Sequence, residues 1–126
     1  MSNHLYDALF LPHRDRETPF LTLADGRVET FREFLGLSAR IAHVINQLGV
    51  APGYRLAVQV AKSPEALSVY VACVQAGVIF LPLNTAYTAS EVDYFVGDAT
   101  PKILVCDQKA HAALEPVAKA HGARLM

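Results

Sequence analysis

Short apolar runs and polar turns alternate over the first 30 residues, and they predict a small helix followed by a hairpin. Asn3 is placed to cap the helix. Three apolar side chains are expected on one side of it: Leu5, Ala8 and Leu9. Residues 20–23 and 27–30 then flank Ala24-Asp25-Gly26. Because Asp-Gly between alternating residues favours a tight antiparallel turn, this segment predicts a β-hairpin.

A long amphipathic helix is predicted directly after the hairpin. Thr30 and Glu33 have the spacing of a capping box, in which each side chain bonds the other's backbone amide. Such a cap contributes about 1 kcal/mol. Six residues form an apolar stripe at helical spacing: Phe34, Leu37, Ile41, Val44, Ile45 and Leu48. Gly49 is expected to end the helix, since that position often requires a positive φ.

Beyond residue 50, apolar runs typical of strands alternate with helical patterns. The predicted strands are 55–60, Val78–Leu83, Lys102–Cys106 and the beginning of a fourth, Ala123–Met126. Three helices are predicted between them. The first begins at Pro64, after the cap residue Ser63, and ends at about Ala76. The second begins at a second capping box, Thr88–Glu91, and ends near Gly97, and the third runs from about Lys109 to Gly122. Pro116 is expected to kink or restart the last helix. This alternation predicts an α/β fold in which helices flank a parallel β-sheet, in the order βαβαβα.

Composition suggests that this fold belongs to a larger body. The chain has 126 residues, enough for one domain, with 52% hydrophobic and only 18% charged residues. A complete domain of this size would carry more polar cover, so we expect a single partial domain over 1–126. Its first part, 1–50, would hold the helix, hairpin and capped helix, and 51–126 the βαβαβα unit.

Charge and targeting signals exclude several classes of protein. The net charge is −1 and no basic stripe is present, so nucleic-acid binding is not expected. The N-terminus lacks the basic and apolar regions of a secretory signal, and we expect a cytoplasmic protein. Cys73 and Cys106 are interpreted as free thiols of a reducing compartment, with a disulfide as the alternative. Residues 66–90 carry no charge, which suggests a membrane span, but Gln75, Gly77 and Pro82 interrupt the run and favour a helix followed by a strand.

Ligands of open parallel sheets bind beyond the carboxyl ends of the strands, where this sequence places three loops. In the first, Lys62-Ser63 begins a helix and could hold an anion, although a solvated lysine beside a simple cap is the alternative. In the second, Asn84 to Thr88 could line a cleft, or could serve only as turn, cap and packing residues. In the third, Asp107 resembles the acceptor aspartate of response-regulator receivers, but the further acids of such a site are missing after the first strand.

Signatures of nucleotide, metal and nucleophile chemistry are missing from the sequence. No glycine-rich phosphate loop occurs, and the serines have no nucleophile-elbow setting. The histidines are dispersed without metal-ligand spacing: His4, His13, His43, His111 and His121. We therefore predict no catalytic, cofactor-binding or metal-binding residue in these 126 positions.

Several motifs resemble, in order and spacing, the beginning of the adenylate-forming acyl-CoA synthetase family. They are Thr30-Phe31-Arg32-Glu33-Phe34, Leu48-Gly49-Val50 with Pro52-Gly53, Lys62-Ser63-Pro64-Glu65, Ala76-Gly77-Val78 and Leu81-Pro82-Leu83-Asn84. The run Leu81–Phe95 is especially similar to the malonyl-CoA synthetases of that family. The resemblance covers about Pro19 to Asp107 and implies the first part of the family's large N-terminal domain.

The resemblance implies a two-step reaction for the parent enzyme. A carboxylate, here malonate, attacks the α-phosphate of ATP to give an acyl-adenylate and diphosphate, and the thiol of coenzyme A then displaces AMP. Mg²⁺ assists, and the family's phosphate loop and catalytic lysine have no matching position in this chain. We thus expect an N-terminal fragment that is structural, is inactive alone and binds none of these cofactors tightly.

The expected partners are the remainder of the synthetase chain and a small carboxylate, with no nucleic acid and no membrane span. Self-association through an uncovered sheet edge or face is also expected. The alternative function is a stand-alone α/β binding module without catalysis.

Overall fold

The computed structural model describes residues 3–126, which form two compact units. One unit comprises the described residues up to Gly49 together with Ser63–Gly77, and the other comprises Val50–Lys62 and Val78–Met126. The helix after the first parallel strand therefore groups with the N-terminal elements. The prediction of one partial domain divided at residue 50 remains a prediction.

The first unit contains three helices and a two-stranded antiparallel sheet. Its elements are α1 (His4–Leu9), β1 (Pro19–Thr22), β2 (Val28–Thr30), α2 (Phe31–Gln47) and α3 (Pro64–Ala76), with a 3₁₀ turn at Leu11–His13. The hairpin forms as predicted, and Gly26 adopts φ +89° in its turn. Asp25 accepts a hydrogen bond from the Arg27 amide at 3.0 Å, which lowers the pKa of its carboxyl.

The predicted cap of α2 is confirmed. Thr30 Oγ1 accepts from the Glu33 amide at 3.1 Å, and a Glu33 carboxylate oxygen accepts from the Thr30 amide at 3.2 Å. The predicted apolar stripe of α2 is rotated relative to the buried face. The buried side chains are Phe34, Leu35, Ser38, Ala42 and Ile45, whereas Val44 is 41% exposed. Small residues such as Ser38 and Ala42 occupy the buried face, so a prediction from hydrophobicity alone selects the stripe of larger apolar residues beside it.

The apolar side predicted for α1 is not its buried side. Asn3 caps the helix through its side-chain oxygen, as expected, but Leu5 and Leu9 are 50% and 54% exposed. Tyr6 is the buried residue, and it joins a core cluster of this unit with Phe34, Leu35 and Val71. The aromatic ring of Tyr6 therefore takes the place expected for the leucines.

The second unit is a four-stranded parallel sheet with two helices. Its elements are β3 (Arg55–Gln59), β4 (Ile79–Pro82), α4 (Ala89–Ala99), β5 (Ile103–Cys106), α5 (His111–Ala120) and β6 (Arg124–Leu125), with a 3₁₀ turn at Gln108–Ala110. The strand order is β4-β3-β5-β6, and every pairing is parallel. The predicted α/β fold with a parallel sheet is thus confirmed, including the final short strand.

The core of the second unit joins the sheet to α4 and α5. Its buried members are Ala57, Leu83, Val92, Val96, Leu104, Leu114, Val117 and Ala118. Burying a large aliphatic side chain of this kind contributes roughly 1.5–3 kcal/mol. β3 lies between β4 and β5, so four of its five residues are buried.

Three details of the helices in this unit differ from the sequence predictions. α4 continues past Gly97 to Ala99 and ends at Thr100, which adopts a left-handed conformation with φ +46°. The second capping box is only half formed, because the Thr88 hydroxyl bonds both the Glu91 amide and the Glu91 carboxylate. α5 begins at His111 after the 3₁₀ turn and runs through Pro116 as one helix.

Candidate functional site

The loops after β3, β4 and β5 meet at the carboxyl edge of the sheet, which is the candidate site of the second unit. Gln59 pairs in register with Cys106, and Val58 pairs with Pro82, so the three strands end side by side. This parallel arrangement brings Ala61-Lys62, Asn84–Thr88 and Asp107 to one edge, as the sequence predicts for a ligand position.

Gln59 connects two of the strands at this edge, and sequence analysis missed it. Its side chain is only 6% exposed, and Nε2 donates to the carbonyl oxygens of Asn84 at 2.9 Å and Tyr87 at 3.2 Å. A buried amide needs such partners because leaving it unbonded in the interior is costly. The available signal was a polar residue inside the apolar strand Arg55–Val60.

The loop from Asn84 to Thr88 is held by its own hydrogen bonds. Asn84 Oδ1 accepts from the Ala86 amide at 2.9 Å, and the Asn84 carbonyl accepts from the Tyr87 amide at 3.0 Å. Tyr87 stacks on Phe95 with ring centroids 5.1 Å apart and an interplanar angle of 20°. These contacts favour the interpretation of Asn84 as a turn residue, Thr88 as a cap and Tyr87 as a packing residue.

Asp107 joins the loop after β5 to the loop after β3. Its Oδ2 accepts from the Ala61 amide at 3.0 Å, so the carboxylate is already used to fix the neighbouring backbone. Cys106, directly before it, is partly buried, and burial and then the adjacent Asp107 charge raise the pKa of its thiol. Asp107 therefore positions the neighbouring backbone at this edge rather than having the geometry of a phosphoryl acceptor.

Lys62 and Ser63 fall into different compact units. Lys62 is exposed and has no ion-pair partner among residues 3–126. Ser63 Oγ accepts from the Ala66 amide at 3.0 Å and caps α3 within the first unit. This supports the alternative in which Ser63 is a simple cap and Lys62 a solvated side chain.

Several polar groups at this edge already have partners within the protein. The part of the chain that the structure describes contains no group of three or more potential metal ligands among its His, Cys, Asp and Glu side chains. Both cysteines are free, as predicted, and burial raises the pKa of Cys73 to about 12. Among residues 3–126, no helix is long and apolar enough to cross a membrane.

A cleft of about 1040 Å³ lies separately in the first unit, between α1, the following turn and α2. Six charged residues line it: Arg14, Asp15, Glu17, Arg32, Glu33 and Arg40. Arg32 pairs with Glu17 at 3.1 Å, and Arg14 lies 3.6 Å from Asp15. Because the three basic and three acidic residues balance, this cleft offers no net charge to a phosphate-bearing ligand.

Comparisons with known proteins identify the family. The model of the AMP-binding enzyme family matches residues 12–125. MatB from Rhodopseudomonas palustris is 39% identical over 99% of this chain and 25% of its own, with TM-scores of 0.91 without ligand and 0.92 with ATP bound. The human mitochondrial acyl-coenzyme A synthetase ACSM4 is 34% identical over 89 residues, covering 70% of this chain and 15% of the relative.

The fold itself extends to more distant proteins. A benzoate CoA ligase from Burkholderia xenovorans shares 18% identity with a TM-score of 0.86, over 99% of this chain and 25% of its own. The chain thus spans about a quarter or less of the length of these relatives. The family model covers nearly all of the sequence, and the motif resemblance agrees with it, so the chain belongs to the AMP-binding enzyme family.

Proposed function

We propose that the chain is part of an ATP-dependent carboxylate–CoA ligase whose carboxylate is malonate. The overall reaction would convert malonate, ATP and coenzyme A to malonyl-CoA, AMP and diphosphate, with Mg²⁺ as the metal ion. One observation carries the proposal: the 39% identity to MatB, a malonyl-CoA synthetase, over 99% of this chain. Feruloyl-CoA synthase from Amycolatopsis, 33% identical over 94 residues, supports a CoA ligase without supporting this acid.

The role proposed for this chain is a framework for chemistry performed by other residues. At the carboxyl edge of the sheet, Gln59 and Asp107 bond backbone groups of neighbouring loops, and Asn84 bonds the backbone of its own loop. A substrate placed there would have to compete with these bonds. The 126 residues alone are therefore expected to form no acyl-adenylate.

The substrate is tested on the whole ligase. Purified enzyme is incubated with ATP, Mg²⁺ and coenzyme A and with malonate, benzoate, ferulate or a fatty acid in turn, and AMP release is measured. Malonate should give the highest kcat/KM. A clear preference for another carboxylate would retain the ligase and reject the malonate assignment.

The framework role is tested with a chimera in which this chain replaces the matching segment of MatB. The chimera should release AMP in a malonate-dependent manner, and the isolated chain should not exceed the blank. In the chimera, Lys62→Ala should leave kcat within about twofold, since Lys62 is exposed and has no ion-pair partner in the described part of the chain. A loss of a hundredfold or more with unchanged folding would place Lys62 at the phosphates, and activity of the isolated chain would refute the framework role.

Two further properties complete the proposal. The isolated chain should self-associate through the outer strands of its sheet, β4 and β6, because unpaired strand edges favour such contacts. Size-exclusion chromatography over a range of concentrations tests this, and a monomer at every concentration would contradict it. The ligase is also proposed to be cytoplasmic, supported by its free thiols, and fractionation of the source cells would test the location.

A further inference from the structure

We propose that the amino edge of the parallel sheet, opposite the loops described above, binds a small oxyanion of the phosphate type. A pocket of about 280 Å³ lies where β3, β5 and β6 begin. Its lining consists of Gly53, Tyr54, Arg55, Thr100, Pro101, Lys102, His121 and Gly122, all within the second unit. Parallel strands start together, so three separate segments contribute to one pocket. The proposal does not depend on the function proposed above.

The lining carries positive charge without an acidic residue. Arg55 donates through one guanidinium nitrogen to the Ala99 carbonyl at 3.3 Å, and Lys102 Nζ lies 5.0 Å from the centre of the Tyr54 ring. Neither side chain has a carboxylate partner among residues 3–126. Two cations thus line one pocket without a carboxylate partner, and an anion between them would be attracted by both, although Arg55 already bonds the carbonyl of Ala99 at the end of α4.

His121 contacts a carboxylate that lies outside the pocket lining. Its Nε2 lies 2.8 Å from Asp93 Oδ1, and Asp93 itself does not line the pocket. This contact orients the imidazole ring. The attraction for an anion therefore depends on Arg55 and Lys102.

Thr100 is a second, independent sign of a site. It is the only non-glycine residue with positive φ between residues 3 and 126, at φ +46° and ψ +57°. Glycine takes this conformation at a helix end without strain, whereas a side chain makes it unfavourable. The Thr100 hydroxyl has no hydrogen-bond partner in the described part of the chain. Strained positions of this kind concentrate at ligand sites, and Thr100 lines the same pocket as the two cations.

The donor set and the size select the ligand class. A guanidinium, an ammonium and a hydroxyl suit an anion with several acceptor oxygens, and phosphate accepts from all three. The volume is below the range of roughly 300–1,000 Å³ typical of sites for drug-sized ligands. Inorganic phosphate, diphosphate and the phosphate group of AMP share this chemistry.

The test is titration of the chain with each of the three anions at low ionic strength, followed by ³¹P NMR line broadening and calorimetry. Saturable one-to-one binding is expected for at least one of them, and their relative affinities identify the source of the phosphate group. Lys102→Gln should weaken it about fivefold, the effect of one unit charge at about 4 Å in solvent. Lys119→Gln is the matched control, because Lys119 lies on α5 outside this pocket, and should leave the affinity unchanged.

Thr100→Gly distinguishes an effect on anion binding from an effect on the stability of the fold. This variant should melt at a higher temperature, since glycine relieves the left-handed strain, yet it should bind the anion more weakly because the hydroxyl is lost. The absence of saturable binding would overturn the proposal. Equal weakening by Lys102→Gln and Lys119→Gln would also overturn it, because that result indicates diffuse surface charge.

Discussion

Gly97 and His121 provide a quantitative test of packing between α4 and α5. Gly97 lies in the interior of α4, and the His121 ring covers it closely. A Cβ added at Gly97 would lie 2.9 Å from His121 Cε1 and 3.4 Å from Nε2. A Gly97→Ala substitution therefore requires the ring to move, and we expect this movement to weaken its 2.8 Å contact with Asp93.

Gly97→Ala is expected to make two contributions of opposite sign to the free energy of unfolding. Alanine in a helix interior is more favourable than glycine by about 1 kcal/mol. Loss of a partly exposed histidine–aspartate contact costs about 0.5–1 kcal/mol, and displacing the packed ring adds to that cost. In the natural background these effects cancel, so Gly97→Ala should change the free energy of unfolding by less than about 0.5 kcal/mol or lower it.

In the His121→Ala background, the ring that would contact a Cβ at Gly97 is absent. There, Gly97→Ala should stabilise the chain by the full helix preference, about 1 kcal/mol. The coupling energy of the cycle is then at least about 0.5 kcal/mol, and about 1 kcal/mol where the two effects cancel fully, compared with the 0.3–0.5 kcal/mol within which independent sites add. Urea denaturation followed by circular dichroism measures all four chains. If Gly97→Ala raised stability equally in both backgrounds, the proposed contact between ring and helix would be refuted.

Three further outcomes follow from buried polar groups and thiols. Ser68→Ala should stabilise the chain by about 1 kcal/mol, because the buried Ser68 hydroxyl has no partner in the described structure, whereas Ser38→Ala should destabilise it by up to about 1 kcal/mol, because the Ser38 hydroxyl donates to a carbonyl at 3.0 Å. Chemical denaturation measures the free energy of unfolding of both variants, and changes of the same sign would contradict this reasoning. Gln59→Leu should cost about 2 kcal/mol and speed hydrogen exchange in the loop after β4, and unchanged exchange there would contradict the bridging role. At pH 8, Cys73, whose pKa is about 12, should be only about one ten-thousandth thiolate and should resist iodoacetamide, while the partly buried Cys106 should be alkylated first. Mass spectrometry that showed the reverse order of alkylation would contradict the burial described here.

The order and type of the elements could be predicted because their signals are local. Asn3, Thr30 and Ser63 each cap a helix through a bond to an amide three residues later, which requires only the right residue at the right spacing. Gly49 and Gly77 adopt positive φ at helix ends, as glycine does without strain. These caps and glycines indicate where each helix begins and ends, and the apolar runs between the helices then indicate strands.

The buried faces of the helices were harder to predict because they depend on tertiary packing. In α2, Ser38 is fully buried and bonds the Phe34 carbonyl, and Ala42 fits the same face, while Val44 is exposed. Small residues allow close approach of neighbouring elements, and a hydrophobicity pattern ranks them below bulkier side chains. The end of α4 was missed for a related reason, since Thr100 takes a conformation that sequence preference assigns to glycine.

The same distinction separates the two edges of the sheet. At the carboxyl edge, Gln59, Asn84 and Asp107 have polar partners within the protein, so a ligand there would exchange existing hydrogen bonds for new ones with little net gain. At the amino edge, Lys102 and the Thr100 hydroxyl have no polar partner among residues 3–126, so an anion would add interactions without removing any of theirs. Lysines without an ion-pair partner in the described chain lie at both edges, Lys62 at the first and Lys102 at the second, so we base the choice of the second edge on the shared pocket of Arg55 and Lys102 and on the positive φ of Thr100.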